Sequence, residues 1–360
     1  MKIGTREIGS AYEPYVIAEI GVNHDGSVTR AQELIDHASQ AGADAVKLQF
    51  FETDRLLSSA SKLATYQASP GIADASELLR KLELSIADMK LLAAYAVTKN
   101  LHPIVTVYSV ELVQVAALID WAALKIASTD IINRPLIQAM KATSKPIILS
   151  TGAATLAEVK RAVDWLGNYP FALLQCVSAY PTPNGSAHLA GIRILMQNFS
   201  VAVGYSDHTT SVDTGALAVA TGASIIEKHI TYDRNAPGPD HAASFEPDEF
   251  GEYVQDIKRA FSMLGSQTKE PDAIEHDVRN VSRQSIITKH KLDAGHILTE
   301  SDLTIKRPGT GIEPYRLKEI LGQQLSHALE ADTLLLETDL KKPDVCDTAI
   351  TAKTSQVAPT

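Results

Sequence analysis

The chain has 360 residues, 45% of them hydrophobic and 21% charged, and a formal net charge of −10 at pH 7. This is the balance of a soluble globular protein with room for one large domain and a small one. The acidic excess comes with no Lys/Arg-rich run, which excludes nucleic acid and anionic membrane as main partners but leaves a local cluster for an anionic small molecule open.

Eight short apolar runs follow in chain order: "YVIAEIG" (15–21), "AVKLQFF" (45–51), "LHPIVTV" (101–107), "WAALKIAS" (121–128), "KPIILST" (145–151), "FALLQCVS" (171–178), "VAVGYSD" (201–207) and "SIIEKHIT" (224–231). Between them lie segments such as "SVTRAQELIDHASQAG" and "TLAEVKRAVDWLGN", whose apolar residues recur at three- and four-residue steps. Ser27 is placed to cap the first of these helices and Gly42 to end it. Eight buried strands that alternate with helices predict a (β/α)8 TIM barrel over residues 1–265, close to the usual size of about 250 residues. An open doubly wound sheet would want a glycine-rich phosphate loop after its first strand, and "GVNHDG" is not one. An irregular insertion, roughly 52–84, follows the second strand and has the length of an active-site lid.

Past the barrel the texture changes. Residues 266–281 read as a polar linker, 282–343 as a small, mostly β domain divided by turn signals, and 344–360 as a flexible tail. The two cysteines, Cys176 and Cys346, form no CxxC pair, the N-terminus has no apolar signal core, and "TGALAVATGASII" is too short to cross a bilayer. These features predict a cytoplasmic protein.

Reacting groups in a barrel come from the C-terminal ends of its strands. In order, those ends present Glu19; Lys47 and Gln49; Thr106; Lys125, Ser128 and Asp130; Ser150; Ser178 and Tyr180; Ser206, Asp207 and His208; and Glu227 and His229. Strands seven and eight are neighbours about 4.8 Å apart, so His208 and His229 at their matching ends have the spacing to share a divalent cation with open positions left over. The alternative is a helix cap and a satisfied core polar group. Lys47 and Lys125 sit inside apolar strands, where an unpaired ammonium is costly. Either each has a carboxylate partner, or with Ser128, Ser150 and Ser206 they form a pocket for phosphate or carboxylate. Glu19 and Asp130 are candidate proton carriers if burial raises their pKa values. Together these groups suit an anionic substrate reacting with a polarised carbonyl, as in aldolases, isomerases and condensing enzymes.

The stretches "AEIGVNHDG", "AVKLQF", "KIASTD", "ILSTGAAT", "CVSAYPTP", "VGYSDHT", "IIEKHIT" and "PGPDHAAS" resemble the sialic acid synthase family, in the family's order. "RQSIITKHKLDAGHILTESDLTIKRPGTGI" is similar to its SAF, or antifreeze-like, domain. The resemblance implies condensation of phosphoenolpyruvate with an N-acetylated amino sugar, giving a nine-carbon sugar acid and phosphate. It implies His208 and His229 as ligands of a divalent metal, Mn2+ first and Mg2+ or Co2+ as alternatives. Lys47, Thr106, Lys125, Ser128, Ser150 and Ser206 match positions that contact phosphoenolpyruvate. Gln49, Tyr180, Asp240 and Arg283 match sugar-binding positions, and Glu19 and Asp130 the proton-handling ones, with Asp130 favoured for transfer and Glu19 for orientation. Arg283 would act on the partner's barrel in a domain-swapped homodimer. Thr129 replaces a usual glycine, and "IVTVYS" and "YPTPNGSAH" also depart from the common pattern. These departures leave open whether the sugar is N-acetylmannosamine or a 2,4-diacetamido-trideoxyhexose. The competing expectations are a pyruvate aldolase on the same barrel and a non-catalytic sugar-binding protein.

Overall fold

In the computed structural model, which describes residues 1–58, 61, 75–266 and 268–341, each apolar run folds as a strand. The strands are β1 (Tyr15–Glu19), β2 (Ala45–Phe50), β3 (His102–Val107), β4 (Ala123–Ile126), β5 (Ile147–Ser150), β6 (Phe171–Cys176), β7 (Ala202–Asp207) and β8 (Ile225–His229). All pair in parallel in sequence order, and β8 closes on β1 with Ile225 opposite Tyr15 and His229 opposite Glu19. The (β/α)8 barrel expected from the runs is the fold.

Strand side chains alternate between faces, and that alternation sorts the chemistry. Val16, Ala18, Val46, Leu48, Val105 and Leu124 face outward and pack with the helices in one large core. Tyr15, Ile17, Ala45, Ile104, Ala123, Ile148, Ala172, Leu174 and Ile225 fill the lower lumen with a second core. Ile3 and Ile8, from a hairpin of Lys2–Ile3 and Arg6–Glu7, join that cluster and seal the barrel's N-terminal end. Burial of each such isoleucine is worth about 1.5–3 kcal/mol, so the lower lumen is a packed plug and not a pore. Apart from Tyr15 and His102, which contact each other at 2.9 Å in the bottom layer, the polar inward residues lie in the upper layers.

Local signals place the helices. Ser27 accepts a hydrogen bond from the Arg30 amide at the start of Val28–Gln40, and Gly42, with φ of 80°, follows its end. Ser85 with Asp88 and Thr155 with Glu158 form reciprocal capping boxes. The insertion read as an irregular lid over 52–84 is helical at Thr53–Leu56 and Ala75–Leu82, and its residues 59–60 and 62–74 lie outside the described residues. Among the described residues no helix is long and apolar enough to cross a membrane.

The chain divides into two compact units, Met1–Gly265 and Ser266–Thr360. The stretch read as a linker carries a turn at Ala273–Glu275 and a helix at His276–Ser282, and the expected tail at 344–360 lies outside the described residues. The second unit pairs β9 (Ser285–Thr288) with β10 (Leu303–Lys306) over a core of Ile286, Leu292, Leu298, Ile320, Leu325 and Leu335.

This second unit is built from a repeat. "HKLDAGHILTESDL" (290–303) and "HALEADTLLLETDL" (327–340) run in register. Leu292 and Leu329 exchange both backbone hydrogen bonds at 2.9 Å, and Leu298 N–H to Gln323 O is matched by Leu335 N–H to Ile286 O. His290 contacts Asp302 at 3.1 Å as His327 contacts Asp339 at 3.3 Å. Gly295 and Asp332, at matching turns, both have positive φ. The two halves therefore meet about a local twofold axis through Leu292 and Leu329.

Candidate active site

The upper lumen carries a closed charge cluster. Lys47 pairs with Glu19, donates to Thr106 Oγ1 at 3.1 Å and lies 3.8 Å from Glu227 Oε1. Lys125 Nζ is 3.5 Å from the same Glu227 oxygen, which also accepts from Ser206 Oγ at 2.9 Å. Gln49 donates to Glu19 Oε1 at 3.0 Å and accepts from the Tyr108 hydroxyl at 2.8 Å. Each strand lysine thus has a carboxylate partner in this structure. Glu227, noted in the sequence only as a strand end, is the hub that joins β2, β4 and β7 to β8. Ser206 is its neighbour on the adjacent strand, but its lysine partners lie far from it in sequence.

Burial controls the protonation of this cluster. It pushes the Glu19 carboxyl up to about 7, with Glu227 adding to the effect and Lys47 opposing it. Burial also raises Glu227, but Lys125 and Lys47 outweigh it and hold that carboxyl below its ordinary value. Lys125 falls below the usual lysine range because burial disfavours its ammonium. Near neutral pH Glu227 therefore stays ionised beside Lys47, while Glu19 can take up a proton, which leaves the Lys47 ammonium freer for an incoming anion.

Beside it the ends of β4, β5 and β6 form a hydroxyl-lined recess. The Gly152 N–H donates to Ser128 Oγ at 3.0 Å, and the buried Ser150 Oγ has no hydrogen-bond partner. A Cβ on Gly152 would come within 2.4 Å of Ser178 Oγ, 2.9 Å of Ser128 Oγ and 3.0 Å of Cys176 Sγ. Ser178 therefore belongs to the recess, although its place after β6 gave it no role in the sequence. Asp130 sits on the following turn, Ser128–Ile132; burial raises its carboxyl against a weak contact of 3.5 Å from Asn133.

The histidines meet one layer higher. The His208 and His229 ring centroids are 5.4 Å apart, with Tyr180 4.0 Å and 5.9 Å from the two rings. His208 Nδ1 lies 2.8 Å from the Val177 carbonyl, which can only accept, so Nδ1 carries a proton; burial lowers this imidazole, but Cys176 and that carbonyl outweigh it and hold it above its ordinary value. His229 Nδ1 is buried without a hydrogen-bond partner, 3.6 Å from Asp240 Oδ2. Burial, with His208 and the nearby lysines adding, holds His229 well below its ordinary value and therefore neutral. Asp240 is pushed up to about 6 by burial. A neutral His229 with an orphaned nitrogen, beside a His208 whose Nε2 can bind once it sheds its proton, fits a divalent cation. Among the described residues no three His, Cys, Asp or Glu side chains converge on one point, so most of the cation's positions would be left to water and substrate.

The loop that carries Asp240 is stitched to the loop after β1. Asn23 donates to the Ile230 carbonyl and to Ser244 Oγ, Ser244 donates to the Asp240 carbonyl at 2.7 Å, and His241 contacts Asp25 at 3.1 Å. Arg283 belongs to the second unit, where it is exposed and lines a groove of about 630 Å3 with Ile274, Val278 and Arg279.

Residues 34–269 match the NeuB family and residues 283–341 match the SAF domain. The chain is 38% identical over 342 residues to the N,N'-diacetyllegionaminic acid synthase of Legionella pneumophila, across 92% of this chain and 96% of the relative. It is 36% identical over 329 residues to the Campylobacter jejuni protein of the same name, across 89% and 98%. A crystal structure of the N-acetylneuraminic acid (sialic acid) synthetase from Leptospira borgpetersenii aligns with a TM-score of 0.71 at 33% identity, over 77% of this chain and 94% of that one. With a family model over its barrel and a SAF domain after it in sequence, the chain belongs to the NeuB family.

Proposed function

We propose that this protein condenses phosphoenolpyruvate with an N-acetylated amino sugar, forming a nine-carbon sugar acid of the sialic type and releasing phosphate. The observation that carries this is the layering of two sites in one lumen. A lysine cluster and hydroxyl recess suit the phosphate and carboxylate of phosphoenolpyruvate, and a histidine pair with Tyr180 and Asp240 lies above them for the sugar. Lys47, Thr106, Lys125, Ser128, Ser150, Ser178 and Ser206 bind the anion; Gln49, Tyr180 and Asp240 orient the sugar.

A divalent cation, Mn2+ first, would be held by His208 and His229 and would supply Lewis acidity at the aldehyde oxygen of the open-chain sugar. The methylene carbon of phosphoenolpyruvate attacks the aldehyde carbon, and protonated Glu19 gives its proton to the oxygen that becomes the new hydroxyl. Water adds to C2 and returns a proton to Glu19. The tetrahedral intermediate then breaks its C–O bond to phosphate as the C2 hydroxyl becomes the ketone and passes its proton to the leaving phosphate, whose charge meets Lys47 and Lys125. Sequence alone favoured Asp130 for proton transfer; the pKa of Glu19 near 7 and its place between Lys47 and Gln49 favour Glu19, with Asp130 left to guide the water.

The function is tested by phosphate release from phosphoenolpyruvate with Mn2+, comparing N-acetylmannosamine with 2,4-diacetamido-2,4,6-trideoxyhexoses. Release that depends on sugar and metal, and that His208→Ala abolishes, is the expected result. No release from folded, metal-loaded protein with any of these sugars overturns it. Gly152→Ala, which crowds the hydroxyl recess, is expected to raise KM for phosphoenolpyruvate at least tenfold; an unchanged KM would place the phosphate elsewhere. The lowered pKa of Lys125 favours one other reaction, Schiff-base aldol chemistry on pyruvate. Borohydride with pyruvate would trap that adduct on Lys125 and leaves the proposed synthase untouched.

The working form is a cytoplasmic homodimer, in which Arg283 of one copy serves the sugar of the other. Support comes from Ile274, Val278 and Val281, which are 86%, 61% and 57% exposed at helical spacing around the groove beside Arg283. Light scattering is expected to give twice the chain mass, and Val278→Glu the mass of one chain.

A further inference from the structure

Lys228 is the residue before His229, and strand alternation turns it away from the lumen into the layer between the barrel and its helices. It is fully buried there, its ammonium 4.0 Å from the Phe245 ring centroid and 5.9 Å from that of Tyr253. For packing alone a leucine would serve, since apolar replacement of a buried ion pair is often neutral or stabilising. Its partners explain the lysine. Lys228 donates to the Thr209 carbonyl and lies 3.5 Å from Asp207 Oδ2. Asp207, also fully buried, accepts from the Thr209 N–H at Oδ1 and from the Tyr253 hydroxyl at Oδ2, both at 2.8 Å. Tyr253 occupies the gap at Gly215, where a Cβ would come within 2.5 Å of its ring.

Asp207 and Thr209 are the two neighbours of His208. One ammonium, carried by the residue before His229, thus holds the Thr209 carbonyl after His208 and the Asp207 carboxylate before it, from behind the barrel wall. We propose that Lys228, with Asp207 and Tyr253, is a positioning residue that locks the His208 and His229 rings into one shared orientation and so presents them ready-made to a divalent cation. This role rests on the proposed function of the two histidines. Preorganised ligands bind more tightly because less ordering remains to be done on binding.

Lys228→Met alone strands Asp207, so the informative variant is Lys228→Met/Asp207→Asn, which removes both charges and keeps size and an acceptor for Tyr253. Two readings are made on the full chain: ring 1H–13C spectra of labelled histidine without metal, and Mn2+ binding followed by electron paramagnetic resonance. The expected result is a folded double variant with the His208 and His229 resonances shifted and broadened and Mn2+ affinity reduced 10–100-fold. Unchanged ring resonances with Mn2+ affinity within twofold of wild type overturn the positioning role. If the wild type binds no Mn2+, the ligand assignment fails separately, and the metal-free ring spectra alone decide positioning. If the double variant does not fold, Tyr253→Phe, which deletes one hydrogen bond, is read by the same criteria.

Discussion

Glu19→Gln is expected to lower kcat by roughly 100- to 10,000-fold, the range associated with loss of a general acid, while KM for phosphoenolpyruvate changes little. Glutamine keeps the shape and still accepts from Lys47, so the anion cluster survives, but it has no proton to give. The pH dependence has a definite sign. Burial raises this carboxyl to about 7, so Glu19 is protonated below that value and ionised above it. Both roles proposed for it, the proton for the new hydroxyl and the freeing of Lys47 for the anion, are lost as pH rises through about 7. Wild-type kcat/KM should therefore fall on the alkaline side with an apparent pKa near 7, and in Glu19→Gln that limb should disappear. A variant that retains the limb would assign the ionisation to another group.

Glu227→Gln should separate stability from affinity. Glu227 is the carboxylate common to Lys47 and Lys125, and breaking a buried pair leaves uncompensated charge worth about 3–5 kcal/mol. Glutamine recovers part of the hydrogen bonding, so a loss of about 3 kcal/mol is expected, or roughly 10 °C in the barrel's Tm. The same substitution removes the negative charge that competes with an incoming anion. Phosphoenolpyruvate is therefore expected to bind roughly tenfold more tightly and to raise Tm by more than it does in wild type. Thermal unfolding with and without phosphoenolpyruvate measures both effects. A destabilised variant with weaker anion binding would mean that Glu227 orders the lysines for the substrate instead of opposing it.

Much of this was readable in the residues, and what was not has physical causes. The eight strands were legible because parallel barrel strands, covered on both faces, read as apolar runs. The histidine pair was legible because β7 and β8 are neighbours in space as in sequence. Glu227 was not, because which inward side chains meet across a closed lumen depends on the register of strands far apart in the chain. Lys228 did leave a signal: alternation in "IIEKHIT" puts Glu227 and His229 on one face and a lysine among isoleucines on the other. The repeat in the second unit was also present in the letters. It consists of turns with neither a two- nor a 3.6-residue period, so hydrophobic patterning passes over it.

The hydrophobic plug at the N-terminal end of the lumen has a kinetic consequence. A vessel with one mouth must be filled and emptied in order. Glu227 and Ser206 lie two residues below His229 and the position of His208, about 6–7 Å deeper along their strands. A sugar seated at the histidines would therefore cover anything bound beneath it. In the proposed reaction phosphoenolpyruvate would go in first, and the phosphate it gives up would wait under the nine-carbon product until that product departs. Inorganic phosphate would then compete with phosphoenolpyruvate for the empty enzyme, so the plug beneath the lumen would set the order of events above it.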